Sequence, residues 1–140
     1  MKNLTLATLA LSAVLVTVPA WAATVNYTAT LNGASEVPAK TTGGAGTMEG
    51  SLDTATKMLT YTVTYNGLSG PATAAHIHAP AAAGANAGVA VPFPSPASPI
   101  KGTVAVTDDQ IKLMDTGMTY VNVHTAANPG GEIRGQIMKK

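Results

Sequence analysis

Histidine is scarce in this chain, with three among 140 residues. Two of them, His76 and His78, stand two apart in "AAHIHAP" (74–80), and the third, His124, ends "YVNVH" (120–124). On an extended strand residues i and i+2 project to the same side. Their Cα atoms are then about 6–7 Å apart, and both imidazoles can reach one ion at about 2 Å. The same parity puts Tyr120, Asn122 and His124 on one side of their segment, with Val121 and Val123 on the other. Three imidazoles from two strands would make a rigid three-coordinate site with an open position. Neutral imidazole suits copper, zinc, nickel or iron; the affinity order favours copper, with zinc as second choice. Cysteine is absent, which excludes a blue-copper site but leaves water or a methionine as an additional ligand. Two other accounts stand beside this one: histidines buried and hydrogen-bonded purely for structure, and a site for an organic or protein ligand.

A second same-side set, Glu132, Arg134 and Gln136, lies in "GEIRGQI" (131–137). One account is a Glu132–Arg134 ion pair on an exposed strand face, worth little if solvated. The sharper account places Glu132 behind a ligand histidine, accepting its second ring N–H, with Arg134 holding an anion or a carboxylate. A structural polar network is the favoured expectation. Glu36 in "SEVPA" is a turn or edge feature or a partner of Arg134. With Asn122 and Tyr120, Glu132 and Arg134 complete the residues expected to orient the imidazoles. No G-x-S-x-G is present and nothing points to a carboxylate pair for glycoside hydrolysis, so nucleophilic and glycosidic catalysis have little support. A three-histidine site serves storage and redox catalysis alike, so the residues leave enzyme activity open.

The elements that must carry these residues read as strands. "MLTYTVTY" (58–65) sets Leu59, Tyr61, Val63 and Tyr65 against Thr60, Thr62 and Thr64, a period of two that marks a half-buried antiparallel strand. "TVNYTATL" (24–31) alternates likewise. Further strands are predicted at 46–52, 73–78, 87–93, 102–106, 119–124 and 131–138, most of them separated by turn signals such as Asn32-Gly33, Asn66-Gly67 and Asn128-Pro129. One short helix is expected near 108–115: Thr107 and Gln110 fit a capping box, and Asp108-Asp109 suits its positive end. Ile111, Leu113 and Met114 form its buried side, and Gly117 stops it. The fold class is therefore all-β, an antiparallel β-sandwich or flattened barrel. The stretch 79–100 is uncharged and holds five prolines. It reads as an irregular surface loop with one strand inside it, or as a semi-rigid flap over the histidines, the former favoured.

The first residues read as a leader. A basic start at Lys2, the apolar run "LTLATLALSAVLVTVPA" (4–20) and the Ala20-Trp21-Ala22 pattern predict a signal peptide over 1–22 and a mature domain over 23–140. Without Lys2, seven basic residues face seven acidic ones. That balance excludes a basic stripe and argues against nucleic acid and against an anionic membrane surface. The expected product is periplasmic or secreted, with no membrane association after cleavage.

Four motifs together resemble the CHRD domain, named from chordin: "LNGASEVPA" (31–39), "GLSG" (67–70), "AAHIHAPA" (74–81) and "YVNVHTAANPGGEIRGQI" (120–137). The resemblance covers nearly all of the mature chain. It implies an exported β-rich domain of the kind microbial secreted proteins carry alone, and it leaves activity undefined. A non-catalytic module that binds an envelope or extracellular protein or polymer fits it as well as a metal protein does. The H-x-H pair with a later strand histidine is also similar to the copper side of the copper/zinc superoxide dismutases. The bridging histidine, zinc-loop ligands and disulfide of that family have no counterpart here, so no zinc site of that kind is expected.

Overall fold

The computed structural model describes residues 22–140; the expected leader, apart from Ala22, lies outside them. The described residues form nine strands: β1 (Thr24–Asn32), β2 (Ala45–Asp53), β3 (Met58–Asn66), β4 (Ala72–His78), β5 (Val89–Pro92), β6 (Ile100–Ala105), β7 (Tyr120–Thr125), β8 (Ile133–Gln136) and β9 (Met138–Lys139). A 3-10 turn, Gly33–Ser35, follows β1, and one α-helix, α1 (Asp108–Asp115), joins β6 to β7. All pairings are antiparallel. The strands form one sheet in the order β5-β4-β7-β8-β1-β2-β3-β6, with β9 paired to β1. This is the all-β class expected, realised as a single sheet curled into a half-barrel around its own core.

The period-two pattern decides which side turns inward. Tyr27, Ala29 and Leu31 of β1, Met48 and Leu52 of β2, and Leu59, Tyr61 and Val63 of β3 are buried in one cluster. Their threonine neighbours face outward, where Thr47 meets Thr64 and Thr60 meets Thr103 through their hydroxyls at 3.0 Å. The second half of the sheet differs. Every residue of β7 is buried, on both faces. Val121 and Val123 join the apolar core with Ile77 of β4, while the opposite face lies beneath polar loops rather than water. That covered polar face carries the histidines.

Helix α1 starts on the capping box expected of Thr107 and Gln110, with both reciprocal bonds formed. It ends before Gly117, whose φ of 68° suits a residue without Cβ. Of its apolar residues only Met114 is fully buried, and Ile111 and Leu113 are half-buried. Among the described residues no helix is long and apolar enough to cross a membrane.

Candidate metal centre

β4 and β7 pair so that Ala74 faces His124, His76 faces Asn122 and His78 faces Tyr120. With Ile77, Val121 and Val123 directed into the core, the alternate side chains of both strands meet on the other face. The structure thus brings His76, His78 and His124 together, as their spacing predicts. Each offers a ring nitrogen, and the three lie within 4.8 Å of one another. His78 and His124 are each only 8% exposed, and His76 sits at the half-buried rim. Two ligands at about 2.1 Å from one ion are at most about 4.2 Å apart. Closing the three nitrogens onto an ion therefore requires the widest pair to shorten by at least roughly half an ångström, and by about 1.4 Å for a tetrahedral arrangement with ligands about 3.4 Å apart.

The outward ring nitrogens are fixed by backbone. His78 Nδ1 lies 2.9 Å from the carbonyl oxygen of Ala87, and His124 Nδ1 lies 2.9 Å from that of Pro129. A carbonyl oxygen only accepts, so each Nδ1 must carry the proton and donate it. In the neutral rings both Nε2 atoms are then bare lone pairs, and both point to one place: Asn122 Oδ1, at 3.0 Å from His78 and 2.9 Å from His124. His76 Nδ1 is 3.1 Å from His124 Nε2 and can donate to it. Burial lowers the pKa of His76, with smaller contributions from the charges of His124 and His78. Burial likewise lowers that of His78, outweighing the support that the Ala87 carbonyl and the Asn122 oxygen would give its protonated form. The neutral form that ligation needs is thereby favoured at both.

The residues expected behind the histidines divide. Tyr120 stacks on His78 with ring centroids 4.7 Å apart and planes within 6°, and the Arg134 guanidinium lies 3.9 Å from the centre of the same Tyr120 ring. Asn122 touches two imidazoles directly. Glu132 does not: its carboxylate accepts from Thr42, from the Ser69 backbone and hydroxyl, from Thr125 and from Asn128. For Glu132 the favoured structural polar network holds, whereas neither the exposed ion pair nor the place behind a ligand histidine does. It is wholly buried rather than exposed, and it binds hydroxyls and amides rather than an imidazole or Arg134. The physical reason is that loops from three parts of the chain converge over this end of β8 and surround the carboxylate with donors. Burial raises its pKa, but those hydrogen bonds outweigh burial and hold it at about 2.

Arg134 pairs with Glu36, as one reading of Glu36 expected, Nε donating to Oε2 at 2.9 Å with both side chains buried. Its other nitrogens donate to the Ala85 carbonyl and Asn86 Oδ1, at 2.9 and 2.6 Å. The stretch 79–100 is thus more than a surface loop. Through Ala85, Asn86 and Ala87 it is fastened to Arg134, Tyr120 and His78, and β5 within it pairs with β4. Sequence reasoning missed the carbonyls of Ala87 and Pro129 and the donors Thr42 and Ser69. Backbone groups carry no residue-type signal, and only the turn at "NPGG" pointed to a loop beside His124.

A family model described as the CHRD domain matches residues 27–137 of the chain. No curated protein and no solved structure gives a significant match.

Proposed function

We propose a function on the premise that the chain belongs to the CHRD domain family: it is an exported protein that binds a transition-metal ion through His76, His78 and His124, copper first and zinc second. One observation carries this reading. Two of the three imidazoles give their Nδ1 proton to backbone carbonyls and present bare Nε2 atoms to a common centre. Ligand histidines are held in this way, because the second nitrogen fixes ring orientation and tautomer and raises basicity. Imidazole donors without thiolate suit copper and zinc alike, and copper leads by affinity order. Bound copper would supply one-electron redox chemistry at a half-exposed rim, and storage or delivery is equally served.

A second reading has its own observation. His76 can donate to His124 without any ion, and the nitrogens are set wider than a bound ion requires. On that reading the cluster is structural, and the domain is a non-catalytic module for an envelope or extracellular protein or polymer.

Copper titration of untagged mature protein separates the two. His76→Ala is the variant of choice, since His76 is at the rim and carries no backbone contact through its ring. The metal reading expects one copper per chain in the wild type and a loss of roughly 10–100-fold or more in affinity in the variant, with the apo melting temperature nearly unchanged. A wild type whose melting temperature ignores copper and zinc leaves the structural reading.

A further inference from the structure

Asn122 sits between two groups that make opposite demands on its side-chain amide. On one side are the Nε2 lone pairs of His78 and His124, at 3.0 and 2.9 Å from Oδ1. On the other is Glu36, of whose carboxylate Oε2 is taken by Arg134 while Oε1 is buried without a hydrogen-bond partner among the described residues. Asn122 Nδ2 lies on the same side, since a Cβ on Gly131 would overlap both it and Glu36 Oε1, but it makes no hydrogen bond to that oxygen. Gly131 also has φ of 124°, a region that favours glycine.

Neither orientation of the amide satisfies every neighbour in the metal-free protein. With Oδ1 toward the histidines, an acceptor faces two acceptors; His124 Nε2 can draw a proton from His76, but His78 Nε2 has only the amide oxygen. Turned over, the amide would satisfy the imidazoles but turn Oδ1 instead of Nδ2 toward the Glu36 carboxylate, an acceptor toward a negative charge. The Glu36 charge, held in place by Arg134, favours the first orientation, with Nδ2 on its own side. The Nε2 lone pairs of His78 and His124 and a carbonyl oxygen then converge beside His76 Nδ1, which becomes a third donor atom once its proton sits on Nε2, and a cation is a species that all four can accept.

We propose that Asn122 Oδ1 is the fourth ligand of the ion held by the three histidines, aimed there by Glu36 as a positioning residue. This rests on the three-histidine reading and adds a selectivity to it. Three nitrogens and one hard oxygen suit Cu(II) or Zn(II) better than Cu(I), which prefers soft donors.

The test compares Cu(II) and Cu(I) affinities, each by competition with a chelator, in wild type, Asn122→Ala and Glu36→Gln. Asn122→Ala should weaken Cu(II) binding by roughly 10–100-fold while leaving Cu(I) binding unchanged, and Glu36→Gln should shift Cu(II) affinity in the same direction by less. A wild type that binds Cu(II) no more tightly than Asn122→Ala overturns the proposal and spares the three-histidine reading. A wild type that binds neither ion defeats both. Because Asn122→Ala opens a buried polar site, the copper-loaded wild type supplies a measurement independent of its folding. A crystal structure should place Oδ1 at about 2.0–2.2 Å from the ion, and an oxygen left at hydrogen-bond distance overturns the assignment.

Discussion

His78 and His124 are buried and each gives a proton to a backbone carbonyl, whereas Glu132 is buried and takes five hydrogen bonds without a cationic partner. Both kinds of residue exchange water for fixed protein partners, and the titrations of His76, His78 and Glu132 make stability depend on pH. The folded pKa values of His76 and His78 lie below the ordinary imidazole value. Below about pH 6.5 the unfolded chain therefore binds more protons at these positions, and stability falls with pH. Glu132 repeats the effect lower down. Its pKa is about 2 when folded against 4.5 ordinarily, a difference of about 3 kcal/mol. That contribution is whole above about pH 4.5 and is lost as pH falls toward 2. Urea unfolding of the apo protein across this range should show the decline. In Glu132→Gln the portion between about pH 4.5 and 2 should shrink, with a lower stability at neutral pH. An unchanged pH profile in the variant would remove Glu132 from this role.

Elements carry these residues into place, and here the sequence was informative in a graded way. Strand parity placed His76, His78, Asn122 and His124 on one face, because period two is a local property of the chain. The capping box of α1 was legible for the same reason. The partners of the buried charges were less so: Arg134 was one of two readings of Glu36, and the donors around Glu132 were missed. Arg134 finds Glu36 98 positions away, and Glu132 finds Thr42 90 positions away, and no local pattern encodes such meetings. Nor does composition reveal that β7 is covered on both faces, so an exposed Glu132–Arg134 pair was a reasonable and mistaken expectation. The stretch 79–100 shows the consequence at the element scale. Its first half is held by the Arg134 fork and by the ring nitrogen of His78, so its order depends on guanidinium geometry. Arg134→Lys keeps the charge but has one nitrogen where the planar fork has three, so it cannot reach Glu36, Ala85 and Asn86 at once. We expect it to destabilise the fold by about 2–4 kcal/mol, since it leaves part of a buried pair unmatched. Hydrogen exchange at Ala85–Ala87 should rise well before exchange in β1–β3, and equal protection throughout would count against the fastening role.

At the scale of the whole molecule, a single curled sheet must close a core without joining its two ends. β5 and β6 are the ends of the strand order, and Pro92 in β5 suits an edge, where a missing N–H costs nothing. Side chains close the gap instead. Phe93, just past β5, stacks on Tyr61 of β3 with centroids 4.4 Å apart and planes at 24°. Gly102 of β6, paired opposite Tyr61, leaves room for that ring, since a Cβ there would lie 2.6 Å from Tyr61 Cζ. Gln110 of α1 adds a hydrogen bond to the Ala90 carbonyl of β5 at 3.3 Å. The aromatic pair is the largest side-chain contact described at this seam, and Phe93 is the chain's only phenylalanine. Phe93→Ala should cost about 3–5 kcal/mol, the range for a buried aromatic reduced to a methyl group. Phe93→Leu should recover most of it, because a comparable apolar volume is restored. Gly102→Ala should fall between, since the added methyl must displace a ring that the seam holds in place. Denaturant midpoints of the three variants measure this order. The same loss should reach the histidines, because β5 pairs directly with β4 at His76 and His78. Copper affinity is expected to weaken in Phe93→Ala and to return with Phe93→Leu. If Phe93→Ala loses stability while copper affinity stays at the wild-type value, the seam and the histidine face are mechanically independent.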